Sequence, residues 1–188
     1  MKIGILGGSF DPPHYGHIRN ALMAKAAANL DKVVLMAASN SPFKCQHFAP
    51  STCRRLMTCM MTSKLEDENI YSDSRLTKDT SYAVDDVKYI SNKHPEAELF
   101  LIVGDDCAGN FESWYRFEEL LSMLKAVIVV PRIGADIPGW PITTIIADDP
   151  VCGISSTLVR KLVKEGKPLY GLIPSSVESY IREHKLYL

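Results

Sequence analysis

The chain has 188 residues, of which 46% are hydrophobic and 23% are charged, and this composition is typical of one globular domain and excludes disordered and fibrous classes. Its 21 basic and 22 acidic residues give a net charge of −1, which argues against nucleic-acid binding because that needs many Lys or Arg contacts to phosphate. No apolar run approaches the ~18 residues of a membrane helix, and the first ten residues lack the pattern of a signal peptide, so we expect no membrane contact.

Apolar strands and amphipathic helices alternate along the whole chain. In chain order, the pattern predicts a strand at 2–6, a helix at 14–30, a strand at 32–38, helices at 51–63 and 80–92, a strand at 98–103, a helix at 116–124, strands at 126–130 and 142–147, and helices at 155–165 and 175–183. The stretches 39–49 and 132–141 are predicted loops. Strands that are apolar on both faces favour a parallel sheet between helices. We expect one α/β domain over residues 1–188, with a doubly wound, mostly parallel sheet and helices on both faces.

The cysteines are scattered through the predicted elements. They are Cys45, Cys53, Cys59, Cys107 and Cys152. Their odd number and the lack of a CxxC pair indicate free thiols in a reducing compartment and argue against a zinc site. We therefore expect a cytoplasmic protein that holds no metal of its own.

The first predicted strand runs into the segment GGSFDPPHYGH, residues 7–17, which precedes the first helix. In an open α/β sheet this is the carboxyl end of a strand, where ligands bind. Glycines allow the backbone to approach a ligand closely. His14 and His17 are three positions apart, so they project from one face of a starting helix, whose N-terminus attracts anions. The segment differs from a Walker A loop and from GxGxxG, and it predicts a phosphate-binding turn.

A second segment, ISSTLVR at residues 154–160, opens a predicted helix near the other end of the chain. Its hydroxyls and free backbone N–H groups can bind an anion, and the Arg160 guanidinium can fork onto phosphate oxygens. Alone, such a cluster is most often a helix cap.

These two segments resemble the GGSFDPxHxGH and ISSTxxR signatures of the HxGH nucleotidyltransferase superfamily. The resemblance implies that the late segment meets the histidine segment and forms the far wall of a triphosphate site. HxGH alone leaves pantetheine-phosphate, cytidylyl and other adenylyl transferases open. Further segments resemble bacterial nicotinate-nucleotide adenylyltransferases, and this resemblance spans nearly the whole chain. They are SPFK at 41–44, TSYAVD at 80–85, VGDD at 103–106, SWYR at 113–116 and YGLIPSSVESYIREHKLY at 170–187.

The resemblance implies adenylyl transfer from ATP to nicotinate mononucleotide, which gives nicotinate adenine dinucleotide and pyrophosphate in NAD biosynthesis. A phosphomonoester has a second pKa of about 6, so the attacking phosphate is largely ionised near pH 7 and needs no general base. Positioning and charge stabilisation then carry the reaction. Mg²⁺ is expected to arrive with ATP because it prefers phosphate oxygens and water. We do not assign Asp11 or Asp106 as metal ligands.

The resemblance also implies roles for individual residues. The catalytic group is His14, His17, Lys44 and Arg160. The ATP-binding group is Gly7, Gly8, Ser9, Phe10, Gly104, Asp106, Ile154, Ser155, Ser156 and Thr157, with the helices in 155–188 completing the site. The group for the pyridine mononucleotide is Ser81, Tyr82, Ala83, Trp114, Tyr115 and Arg132. An ordinary solvated charge is the alternative for Arg132, and simple packing is the alternative for the two aromatic residues Trp114 and Tyr115.

Two departures from the family pattern affect the choice of acceptor. Ala83 stands where the family has Thr, and Phe43 stands where it has His. Preference for the acid over the amide therefore stays open. The alternatives are a transferase of the same superfamily that acts on nicotinamide mononucleotide or phosphopantetheine, and a non-catalytic nucleotide-binding protein on the same fold.

Overall fold

The computed structural model describes residues 1–41, 47–73, 80–104, 111–131, 142–147 and 153–188. Within them a six-stranded sheet has the order β3-β2-β1-β4-β5-β6, and every neighbouring pair is parallel. The strands are β1 (Lys2–Gly8), β2 (Lys32–Ala37), β3 (Ile70–Asp73), β4 (Glu98–Gly104), β5 (Ala126–Val130) and β6 (Thr144–Ile146). The apolar runs predicted for the central strands are buried on both faces, as parallel sheets require.

Helices cover both faces of this sheet. They are α1 (Tyr15–Ala28), α2 (Ser51–Thr62), α3 (Ala83–Lys93), α4 (Phe117–Ser122), α5 (Ser156–Lys164) and α6 (Ser175–Glu183), with a short 3₁₀ turn at Phe111–Ser113. One core lies between the sheet and α1, α2, α5 and α6. The other core lies between the sheet and α3 and α4. The predicted doubly wound α/β fold is confirmed.

The strand order reverses direction between β1 and β4, which are neighbours in the centre of the sheet. In a sheet of this kind a crevice opens at the carboxyl ends of the central strands. The fold therefore places the carboxyl ends of β1, β2 and β4 around one crevice. No helix in the described part of the chain is both long and apolar enough to span a bilayer.

Two details differ from the predicted elements. The sequence pattern did not indicate β3, because this four-residue strand lies at the sheet edge and only Ile70 in it is buried. The predicted turn at Gly7 and Gly8 is instead the end of β1, where both residues pair in register with Met36 and Ala37 of β2. The predicted loop at 132–141 lies outside the described residues.

Candidate active site

The chain leaves β1 through a tight turn that buries the side chain of Phe10 next to His17. The Gly8 carbonyl accepts a hydrogen bond from the Ala38 N–H at 2.9 Å, which joins the ends of β1 and β2. Phe10 follows at φ 46° with its side chain fully buried. A Cβ at Gly8 would lie 3.1 Å from the Phe10 ring, so glycine lets this ring pack against the turn. The Phe10 and His17 ring centroids are 4.7 Å apart.

The two predicted histidines lie together at the start of α1. His14 is the N-cap residue and is buried, and its ring stacks on that of His17 with centroids 3.8 Å apart. The His14 backbone N–H donates to Nδ1 of His17 at 3.1 Å. Because Nδ1 accepts this bond, the proton of a neutral His17 ring is on Nε2, and this atom is the ring's donor.

The late serine-rich segment contacts the early turn directly. The Ser156 hydroxyl donates to the Pro12 carbonyl at 2.9 Å across 144 positions of the chain. Arg160 Nη1 donates to the Asp11 carbonyl at 2.7 Å. A Cβ on Gly16 would lie 2.9 Å from His14 Nδ1 and 3.3 Å from the Ile154 carbonyl oxygen, so only glycine permits this approach. The expected meeting of the two signature segments is present.

The rest of this segment has the local structure of a capped helix. The Ser155 hydroxyl accepts from the Leu158 N–H at 3.2 Å, and this bond caps α5. Arg160 Nη2 donates to the Thr157 hydroxyl at 3.1 Å, and its guanidinium carbon lies 4.1 Å from the centre of the Phe48 ring. Arg160 is thus held at the edge of the early turn.

Asp11 joins the early turn to two other parts of the chain. Its buried carboxylate accepts from the backbone N–H groups of Phe48 and Ala49, at 2.7 and 3.2 Å, and from the Tyr187 hydroxyl at 2.8 Å. Burial, and then the charge of Asp11 and the bond to it, raise the pKa of Tyr187 well above its ordinary range. Tyr187 therefore stays protonated and acts as the donor.

Replacing Tyr187 by phenylalanine should remove one pH-dependent contribution to the free energy of unfolding. The folded state holds the Tyr187 proton more tightly than the unfolded state, so the wild-type free energy of unfolding falls as the pH rises above the ordinary tyrosine pKa of about 10. Above pH 10 this effect lowers the wild-type free energy of unfolding by up to about 1.4 kcal/mol per pH unit, and we expect it to be absent from the Tyr187→Phe variant. At pH 8 the variant should be about 1 kcal/mol less stable than the wild type, because the hydrogen bond is missing. Urea unfolding from pH 8 to 11 measures both effects, and parallel profiles for the two proteins would contradict the assignment.

Arg54 of α2 is a site-forming residue that sequence reasoning missed. Its side chain is completely buried. It donates to four backbone carbonyls, those of Ser9 (2.6 Å), Ala38 (2.7 Å), Ser39 (2.6 Å) and Ala49 (3.1 Å). Burial lowers the pKa of Arg54 and the charge of Asp11 opposes that shift. The guanidinium remains charged in any protein, so one cation joins two loops, the turn after β1 and the loop between β2 and α2.

A sequence signal for Arg54 exists in the spacing of α2. Arg54, Met57 and Met61 lie on one helical face at the i, i+3 and i+7 positions, and the two methionines belong to the core. An arginine on an apolar face is a candidate for a buried, fully bonded cation. No comparable signal exists for the Tyr187 contact with Asp11, because nothing in the pattern predicts a bond across 176 positions.

Three of the residues predicted for the pyridine mononucleotide, Ser81, Tyr82 and Ala83, lie where β2 ends and α3 begins. The Ser39 N–H donates to the Ser81 hydroxyl, and the Ser81 N–H donates to the Asn40 carbonyl, both at 2.9 Å. Tyr82 is the N-cap residue of α3, and Ala83 is its first residue. The start of this helix is therefore fixed to the end of β2.

The aromatic residues near this helix start form two groups. The Tyr82 and Tyr115 ring centroids are 4.3 Å apart with 32° between the planes, and Tyr115 is 52% exposed. Trp114 lies edge-on to the buried Phe111 with centroids 4.9 Å apart, and it packs against the second core. The structure thus brings Tyr115 to Tyr82, while Trp114 faces the interior.

Some of the remaining predicted site residues lie in the described part of the chain, and the others do not. Gly7 is the last residue but one of β1, and Gly104 is the last residue of β4. Lys44, Asp106 and Arg132 lie outside the described residues. Among the described residues no group of three or more His, Cys, Asp or Glu side chains could hold a metal ion.

Comparison with known proteins agrees with this geometry. The family model described as Cytidylyltransferase-like matches residues 5–162. A Thermus thermophilus protein named "Probable nicotinate-nucleotide adenylyltransferase" is 35% identical over 190 residues, with 100% of each chain covered. A Bacillus pumilus protein of the same name is 32% identical over 193 residues, covering 99% of this chain and 98% of the relative. The solved structure of Plasmodium falciparum nicotinic acid mononucleotide adenylyltransferase complexed with NaAD is 20% identical, with a TM-score of 0.79 and coverage of 99% of this chain and 97% of the other. The chain therefore belongs to the nicotinate-nucleotide adenylyltransferase family of cytidylyltransferase-like proteins.

Proposed function

We propose that this protein transfers the adenylyl group of ATP to nicotinate mononucleotide and so makes nicotinate adenine dinucleotide and pyrophosphate for NAD biosynthesis. The similarity to relatives of that name over the full chain supports this reaction. The observation that carries the proposal is the direct contact between the histidine turn and the serine-rich helix start. That contact brings the N-termini of α1 and α5 together, and a helix N-terminus attracts anions.

The chemistry needs no nucleophilic side chain. A phosphate oxygen of the mononucleotide attacks the α-phosphorus of ATP, and the bond from that phosphorus to the bridging oxygen breaks. The electron pair leaves with pyrophosphate. Because the attacking phosphate is already ionised near pH 7, the protein has to align the two phosphates and stabilise the charge on the transferring group.

The early turn and α5 supply the donors for that task. We assign the Nε2–H of His17 and the ring of His14 to the transferring phosphate. The His14 backbone N–H holds the His17 ring through Nδ1, and the His14 ring stacks on it at the N-terminus of α1. The hydroxyls of Ser156 and Thr157 and the Arg160 guanidinium are assigned to the β- and γ-phosphates.

The other residues keep the roles that the family resemblance implies. Gly104 and Asp106 would contact the ribose and adenine of ATP, and Lys44 and Arg132 would neutralise phosphate charge. Mg²⁺ would enter with ATP as part of the substrate. We also propose that residues 1–188 act as one domain whose final helices complete the ATP site, as the bond from Ser156 to Pro12 supports.

The pyridine ring is assigned to the aromatic pair of Tyr82 and Tyr115, with Trp114 supporting it from the second core. Ser81 and the first N–H groups of α3, from Ala83 on, lie beside this pair. A helix N-terminus favours a negative charge, and nicotinate carries a carboxylate where nicotinamide carries none. The arrangement therefore favours the acid.

Pyrophosphate release tests the proposal. The purified protein is incubated with MgATP and one acceptor at a time: nicotinate mononucleotide, nicotinamide mononucleotide or phosphopantetheine. We expect the highest kcat/KM with nicotinate mononucleotide. A higher value with another acceptor would assign the protein to a different transferase of the superfamily, and no release with any acceptor would indicate a nucleotide-binding protein without this activity.

A further inference from the structure

A small cavity lies beside the crevice at the carboxyl ends of β2 and β3. Its volume is about 160 Å³, and it is lined by Ala37, Arg55, Thr58, Cys59, Ser72 and Asp73. Since a water molecule takes up about 30 Å³ in the liquid, this space is large enough for an oxyanion group with some water. A whole mononucleotide would not fit.

Arg55 places a positive charge at this cavity, and not all of its hydrogen-bond donors are used. One guanidinium nitrogen, Nη2, donates to the Ser39 hydroxyl. Its Nε atom is buried and has no hydrogen-bond acceptor among the residues that the structure describes. A buried donor without an acceptor is costly unless something binds to it. The adjacent Arg54 differs, because its donors bond to backbone carbonyls.

The acidic residue of the cavity has a cation of its own. Asp73 accepts from Lys93 Nζ at 2.6 Å and from the Tyr89 hydroxyl at 3.3 Å. The bond to Asp73 first, and then the neighbouring Tyr89 hydroxyl, raise the pKa of Lys93 above its ordinary value, so the lysine stays charged opposite Asp73. The carboxylate in the cavity is thus balanced by Lys93, and the charge of Arg55 is available for a ligand.

Two hydrogen bonds join Arg55 to the residues assigned to the acceptor. Arg55 bonds to the Ser39 hydroxyl, and the Ser39 N–H bonds to the Ser81 hydroxyl at 2.9 Å. Ser81 directly precedes Tyr82, which pairs with Tyr115. The cation therefore lies on the acceptor side of the crevice, next to the start of α3.

We propose that Arg55 is a specificity-determining residue that binds an anionic group of the acceptor mononucleotide, and this inference rests on the proposed function. The group is an oxyanion, which the planar guanidinium fork matches in shape and charge. The mononucleotide carries two such groups, the nicotinate carboxylate and the phosphate. ATP lies on the other side of the crevice and does not use Arg55.

The variant Arg55→Gln tests the proposal by comparing Michaelis constants. We expect the KM for nicotinate mononucleotide to rise about 10- to 100-fold, the effect of losing a hydrogen bond to a charged group, while the KM for ATP stays within about twofold. A rise for the acid alone assigns the carboxylate, and an equal rise for the acid and the amide assigns the phosphate. Arg55→Lys keeps the charge and should recover part of the affinity. Arg182→Gln, which removes one exposed cation from α6, is the matched control.

Isothermal titration of each mononucleotide onto wild type and Arg55→Gln separates this inference from the proposed function. If the wild type binds nicotinate mononucleotide through Arg55 but releases no pyrophosphate, the proposed reaction is wrong and the assignment of Arg55 stands. The assignment is overturned if a folded Arg55→Gln protein binds the acceptors as tightly as the wild type. An equal loss of affinity for ATP would also overturn it, because that pattern indicates a general structural role.

Discussion

Replacing His17 by alanine is expected to lower kcat about 10²- to 10³-fold, the usual effect of removing one preorganised donor from a site that stabilises developing charge. The His17 ring is fixed on two sides, by the His14 N–H at Nδ1 and by stacking on the His14 ring. That arrangement directs the donor function to Nε2 and holds it at the N-terminus of α1. Steady-state kinetics with MgATP and nicotinate mononucleotide measures the effect, and circular dichroism checks that the variant is folded.

The variant His17→Glu separates the donor role from the helix-capping role. A glutamate three positions after the N-cap can accept from the N-cap N–H in a capping box, so it can replace Nδ1 of His17, but it carries no donor for a phosphate. We expect its stability to exceed that of His17→Ala while its kcat stays at least as low. His184→Ala, which removes an exposed histidine at the end of α6, should leave kcat unchanged. Near-normal turnover by a folded His17→Ala protein would exclude the catalytic role.

The central sheet and the two signature segments could be predicted because their signals are local. β2 and β5 are short runs of apolar residues, and burial on both faces is what a parallel sheet imposes on such runs. The spacing of His14 and His17 is likewise a local property of a helix start. The meeting of the histidine turn with Ser156, through the Pro12 carbonyl, followed from the resemblance to a family, since no spacing rule predicts contact across so much chain.

The residues that hold the site together could not be predicted in the same way. The apolar face of α2 makes Arg54 a candidate for burial, but no local pattern shows which groups it binds, and the four carbonyls lie in two separate loops, after β1 and between β2 and α2. β3 lacks the alternation of a strand because it is short and lies at the sheet edge. Trp114 and Tyr115 are adjacent, and only the three-dimensional structure shows that the first packs inward and the second pairs with Tyr82.

Replacing Arg54 by methionine is expected to lower the free energy of unfolding by about 3 to 5 kcal/mol, the range for removing one partner from a buried charged network. Methionine fills much of the same volume, but it leaves four buried carbonyls without their donor. It also leaves the buried Asp11 carboxylate without the nearby positive charge. For a chain of this size the loss corresponds to a fall in Tm of roughly 6 to 20 °C. Urea unfolding gives the free energy, and differential scanning calorimetry gives the Tm.

Arg54→Lys and Arg182→Met serve as the comparison for this result. Lysine keeps the charge and three donors on one nitrogen, but it cannot reproduce the planar fork, so we expect a stability between those of wild type and Arg54→Met. Arg182 is exposed and bonds to Glu178 on the same helix, so its replacement should change stability by no more than about 0.5 kcal/mol. Arg54 holds both the Ser9 turn and the end of β2. The folded fraction of Arg54→Met should therefore bind both ATP and the acceptor more weakly than the wild type does. A loss of stability below about 1 kcal/mol would show that the two loops keep their positions without this cation.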